Sequence, residues 1–134
     1  MTNIGTTYLV RGNISEAVDF FERSLGPAEK LGDQPEQTRT LAGLGIAHNA
    51  QGRDADALRF LQRSLQLAEK LGNEESQETS LNVIGLVHLE KNRLDQALSY
   101  FERSLRLAEK LGDETHQARV LHDIALVEAA PVTL

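Results

Sequence analysis

At 134 residues, 40% of them hydrophobic and 25% charged, the chain holds one domain's worth of material and enough apolar side chain for a core. Fourteen Lys and Arg against 20 Asp and Glu leave a net charge of −6 with no basic stripe, which argues against a nucleic-acid partner. The absence of Cys excludes disulfides, thiolate nucleophiles and zinc–thiolate sites.

The opening stretch, MTNIGTTYLVRGN, lacks a charged region followed by an apolar run, and no segment approaches membrane-spanning length. The expectation is a soluble, cytoplasmic protein with no membrane partner.

Displaced by 40 residues, the chain falls onto itself without gaps. FFERSLGPAEKLGDQPEQ from Phe20 returns as FLQRSLQLAEKLGNEESQ from Phe60 and YFERSLRLAEKLGDETHQ from Tyr100. Ala17/Ala57/Ala97, Arg23/Arg63/Arg103, Ser24/Ser64/Ser104, Leu25/Leu65/Leu105, Gly32/Gly72/Gly112 and Gln37/Gln77/Gln117 are identical columns.

Each copy reads as two helices. Met1 aligns with Leu41, Leu81 and Leu121, so the opening helix is short, roughly eleven residues, and depends on packing. Gly12 and Gly52 end the first helix of a pair, and Asn92, which also tolerates the left-handed conformation, stands in the third copy. The second helix follows with Ala57, Leu61, Ser64, Leu65 and Ala68 on one stripe. It closes on Lys70, Leu71 and Gly72, a cation in the last turn and a glycine beyond it. Asp33, Asn73 and Asp113 are N-cap residues for the next helix, and Glu36 completes a capping-box pattern behind Pro35. Leu41, Leu44, Gly45 and His48 then share one helical face. Gly26-Pro27 interrupts the first copy's second helix where Gln66-Leu67 and Arg106-Leu107 continue, so a kink or break is expected there.

The run L-x-x-L-G-x-x-H, then G, then A-L-x-x-L-x-x-S-L-x-L-A resembles the tetratricopeptide repeat (TPR), in its longer form of about 40 residues as found in bacterial regulatory and signalling proteins. The resemblance spans essentially the whole chain. Gly45 and Gly85 occupy the family's first small position, Ala57 and Ala97 the second; Tyr8 keeps the family's usual Tyr where His48 and His88 stand, and Ala125 replaces the Gly of the last copy. The resemblance implies an all-α, right-handed TPR-like solenoid of antiparallel helix hairpins, about seven helices in a single domain. Its units run 1–32 (truncated), 33–72, 73–112, a closing helix over 113–130 and a tail over 131–134.

The resemblance also places the first helix of each pair on the concave side. The face of that helix not used internally carries Arg39, Ala42, Ile46 and Asn49, then Thr79, Asn82, Leu86 and Leu89, then Arg119, His122 and Leu126. The groove expected from these has an apolar floor of Ile46, Leu86, Leu89 and Leu126 edged by Arg39, Asn82, Arg119 and His122, suited to a partner's amphipathic helix or extended peptide. The alternative is that these Leu and Ile residues simply pack between neighbouring first helices. TPR proteins that grip a chaperone's C-terminal carboxylate carry Lys and Asn where Ala42 and Ile46 stand, so an acidic chaperone tail is not an expected ligand. The closing helix shows Leu121, Ile124, Leu126 and Val127 over much of its circumference, which points to self-association through Leu121, Ile124 and Val127 in a homodimer, to a tail folded back, to a segment of a longer array, or simply to an end helix that tolerates solvent.

Catalysis, cofactors and metals are not expected. No two of the four His have the i, i+4 spacing of a helical metal site; His48 and His88 read as hydrogen-bonded core residues, His116 sits in a first turn and His122 on another face. Ser24, Ser64 and Ser104 read as small packing residues with no His placed as a base. The functional expectation is a protein- or peptide-binding adaptor; the alternatives are a self-association segment, a fragment of a longer array, and the ligand-sensing part of a larger regulator.

Overall fold

A computed structural model describes residues 5, 6, 8, 9 and 11–129, all of them helix or the short turns between helices. Met1 and the tail over 131–134 lie outside the described residues; Gly5, Thr6, Tyr8 and Leu9 are helical, as expected of a short opening helix. Six helices follow: α1 (Ile14–Leu31), α2 (Gln34–Ala50), α3 (Asp54–Leu71), α4 (Glu74–Glu90), α5 (Leu94–Leu111) and α6 (Glu114–Glu128). None of them is long and apolar enough to cross a membrane. The chain divides into two compact units, residues 1–76 and 77–134.

The helix ends follow the local chemistry of the repeat. Gly32, Gly72 and Gly112 take left-handed φ of 69°, 67° and 68°. In each case the next residue's N–H returns to a carbonyl five residues back, as Asp33 N donates to Ala28 O at 2.9 Å. Asn92, at φ 60°, is the described non-glycine residue in this region, as the sequence anticipates. The Asp33, Asn73 and Asp113 side chains then accept from the N–H three residues on, at 3.1, 3.1 and 3.0 Å.

Two local expectations are corrected. The capping box does not close: the Asp33 N–H is already committed to Ala28, so the Glu36 carboxylate turns instead to Arg39 at 2.7 Å and to the Ser24 hydroxyl at 3.4 Å. Of the kink or break expected at Gly26-Pro27, the break does not occur: α1 runs unbroken from Ile14 to Leu31. Both residues lie on the exposed side of the helix. The carbonyl that Pro27 leaves without a donor therefore faces water, and Gly26 has no Cβ for the proline ring to strike.

In the first unit, α2 packs against both α1 and α3. Ala17, Phe21 and Leu44 form its buried cluster, flanked by Tyr8, Leu9, Val18, Leu25 and Phe60. In the second unit α5 packs on α6, around Ala97, Phe101, Val120 and Val127. The small positions have a steric reason: a Cβ on Gly85 would lie 2.6 Å from the Phe101 ring, and one on Gly43 would lie 2.5 Å from the Phe21 ring. Ser64 Oγ donates to the Thr38 carbonyl at 2.8 Å and Ser104 Oγ to the Glu78 carbonyl at 3.0 Å, so these serines tie a second helix to the first helix of its own unit. They are therefore hydrogen-bonding residues as well as the small packing residues expected from the sequence.

Candidate functional site

In the first unit, Arg39, Ala42, Ile46 and Asn49 recur along one face of α2. Arg39 is exposed, with its guanidinium on Glu36, and the other three are half-buried. In the second unit, Arg119, His122 and Leu126, spaced i, i+3 and i+7, share one face of α6 and are all exposed, Leu126 by 46%. Leu86 and Leu89 on α4 are half-buried and pack against the cluster of Ala97, Phe101, Val120 and Val127. Asn82 is not a groove edge. It is 5% exposed and donates through Nδ2 to Asp123 Oδ2 at 3.1 Å, because Asp123 faces inward from α6 and a buried carboxylate needs a donor. Of the residues read as self-associating, Leu121 is 54% exposed, Ile124 packs on the cluster from the side, and Val127 is 7% exposed inside it.

His48 and His88 are held by stacking. His48 lies on Phe60 with ring centroids 5.3 Å apart and His88 on Tyr100 at 5.5 Å, as Tyr8 lies on Phe20 at 5.3 Å. The sequence expectation of hydrogen-bonded core histidines is corrected for His48. Its buried Nδ1 has no hydrogen-bond partner, and the ring is held by its face against Phe60. His88 is half-buried, and burial, then the Arg93 guanidinium, hold it below the ordinary imidazole value.

A cluster the sequence reading missed lies in the second unit. His116 Nδ1 is 3.0 Å from Glu78 Oε1, with both side chains nearly buried, and His116 Nε2 is 3.1 Å from Ser104 Oγ. The second carboxylate oxygen of Glu78, Oε2, is buried and accepts no hydrogen bond. Burial pulls His116 below the ordinary imidazole value; Asp113 pushes it up, Arg119 down and Asp123 up. Ser, His and carboxylate in this order have the connectivity of a nucleophilic triad. Ser104 nevertheless has 0% exposure and donates its proton to a backbone carbonyl, so no substrate carbon reaches its oxygen. These contacts span 12 and 38 residues of sequence, beyond any single-helix spacing rule.

Repeated small positions, left-handed caps and aromatic stacks at a 40-residue interval agree with a match of residues 1–70 and 76–130 to the tetratricopeptide repeat family model. The chain belongs to the tetratricopeptide repeat family. No curated protein matches its sequence. Among solved structures it is similar to the nearly identical TPR-like repeats of a Podosopora anserina chain assigned as a kinesin light chain. The TM-score is 0.80 at 17% identity, over 94% of this chain and 63% of that one. The TPR chain described here thus spans less than two thirds of that neighbour. At this identity the likeness speaks for the all-α TPR-like fold alone. TPR repeats are in general protein–protein interaction modules and typically non-enzymatic scaffolds.

Proposed function

We propose that this TPR chain is a cytoplasmic, non-enzymatic protein-interaction module that holds a peptide or helix of a partner against the free faces of its first helices. The observation that carries this reading is the exposed row Arg119, His122 and Leu126 on α6, a cation, an imidazole and an apolar side chain on one helical face. Within the first unit, Arg39, Ala42, Ile46 and Asn49 form a row of their own on α2. Leu86 and Leu89 on α4 are half-buried against the core of the same unit as α6. A peptide with an apolar stripe bordered by carboxylates suits such a face, the leucine taking the stripe and the arginine the acid.

The test is selection of binding peptides from a displayed library, followed by affinity measurements on variants. Leu126→Glu and Arg119→Glu are expected to weaken the selected peptides at least about tenfold, a loss of about 1.4 kcal/mol, with helicity and melting unchanged. Peptides indifferent to both changes would overturn the reading.

A second reading rests on Leu121, a large apolar side chain 54% exposed on α6. It supports a homodimer formed through this helix. Light scattering across a dilution series is then expected to give a dimer mass for the chain and a monomer mass for Leu121→Glu. A concentration-independent monomer for the unmodified chain removes this reading and leaves the first intact.

A further inference from the structure

We propose that Glu78, Asp113 and His116 bind one divalent transition-metal ion of the Zn²⁺ class. The donors come from three places in the second unit: the beginning of α4, the turn before α6, and the first turn of α6. One ligand atom from each lies within 4.8 Å of the others.

The protons decide what the cluster holds. Ser104 has one hydroxyl proton and donates it to the Glu78 carbonyl at 3.0 Å, the bond Ser64 also makes to the Thr38 carbonyl. The 3.1 Å contact between Ser104 Oγ and His116 Nε2 therefore needs the ring to donate, which places the hydrogen on Nε2. Nδ1 is then a lone pair facing the Glu78 carboxylate across 3.0 Å. Two acceptors at that separation require a cation between them. A metal-bound imidazole has this tautomer, with its far N–H held by an acceptor. A proton in the same place leaves an imidazolium–carboxylate pair nearly out of water, with the desolvation cost of two charges. One imidazole nitrogen with two carboxylates favours Zn²⁺, Ni²⁺ or Co²⁺ over Mg²⁺ or Ca²⁺, which prefer all-oxygen sets.

The repeat isolates the feature. The Glu78 column reads Thr38, Glu78, Ala118 and the His116 column reads Glu36, Ser76, His116. Two side chains at which the copies diverge therefore meet in one cluster.

The same columns supply test variants that the fold already accommodates: Glu78→Thr, His116→Ser and Asp113→Asn. Asn73 caps its helix as Asp113 does, at 3.1 Å from Ser76 N. Titration calorimetry with ZnCl₂ on the full chain is expected to show one ion per chain, with MgCl₂ giving no heat. Glu78→Thr and His116→Ser are expected to weaken Zn²⁺ by more than about 100-fold, and Ser104→Ala, which removes the Nε2 acceptor, by about tenfold. His88→Tyr leaves Zn²⁺ binding unchanged. Zn²⁺ raises the melting temperature of the unmodified chain and not of His116→Ser. Absence of Zn²⁺ binding to the unmodified chain, or equal affinity in His116→Ser, overturns the proposal. Should a variant lose helicity, visible d–d bands of Co²⁺ added to the unmodified chain report the coordination directly, and their absence overturns it equally.

Discussion

Asn82 on α4 and Asp123 on α6, 41 residues apart, share a hydrogen bond of 3.1 Å with both side chains buried. Truncation of one partner strands the other away from water, which costs more than the bond itself contributes. Asn82→Ala is expected to destabilise the chain by about 1–3 kcal/mol in urea denaturation. Asn82→Asp, which places two carboxylates together, is expected to cost more at neutral pH and to recover on acidification. A value within about 0.5 kcal/mol for Asn82→Ala, the size of an ordinary surface change, would count against the bond.

The Gly85 position has no room for a methyl group, since a Cβ would lie 2.6 Å from the Phe101 ring. Gly85→Ala should gain slightly in helix propensity and lose more to the displaced ring, a net destabilisation of about 1–3 kcal/mol. Pairing it with Phe101→Leu should recover part of that loss. Equal melting temperatures for Gly85→Ala and the unmodified chain would show that the ring moves aside freely.

Gly26 and Pro27 are poor helix formers in the exposed part of an unbroken helix. Replacing them with the residues of the next copy, Gly26→Gln with Pro27→Leu, should stabilise the chain by about 2–3 kcal/mol, most of it from the restored N–H. Denaturant midpoints measure this. Pro27 lies in the last turns of α1, so a gain near zero would indicate that the helix end frays in both forms.

His88 is held below its ordinary value of 6.5 by burial and by Arg93, so folding favours the neutral ring. Below about 6.5 the unfolded chain takes up the proton first and stability falls; above it the contribution is complete. His88→Tyr, which installs the residue found at Tyr8, keeps a stacking ring on Tyr100 without this titration. The difference in melting temperature between His88→Tyr and the unmodified chain is expected to widen as pH drops from about 7.5 through the histidine range. A pH-independent difference refutes this role.

The features legible in the sequence are those with a short-range cause. Gly32, Asp33 and Asn92 announce helix ends because left-handed backbone and side-chain caps depend on a few neighbouring residues. The small-residue columns are legible because the repeat displays them side by side. Asn82 was misplaced because its partner comes from another helix, and periodicity alone cannot tell a face turned to solvent from one turned to a buried carboxylate. His116 was passed over for the same reason: its contacts reach Ser104 on α5 and Glu78 on α4. Pro27 misled in the opposite sense, a strong local signal whose penalty is softened because its side of α1 faces water.

Gly32, Gly72 and Gly112 differ in φ by no more than 2°, and each hands over to a residue of the same capping type. A crossover between copies at this junction would splice one helix end onto the next helix start with no new backbone geometry to learn. Such exchanges are conformationally silent, so the gene can gain or lose a 40-residue cassette and still encode well-terminated helices.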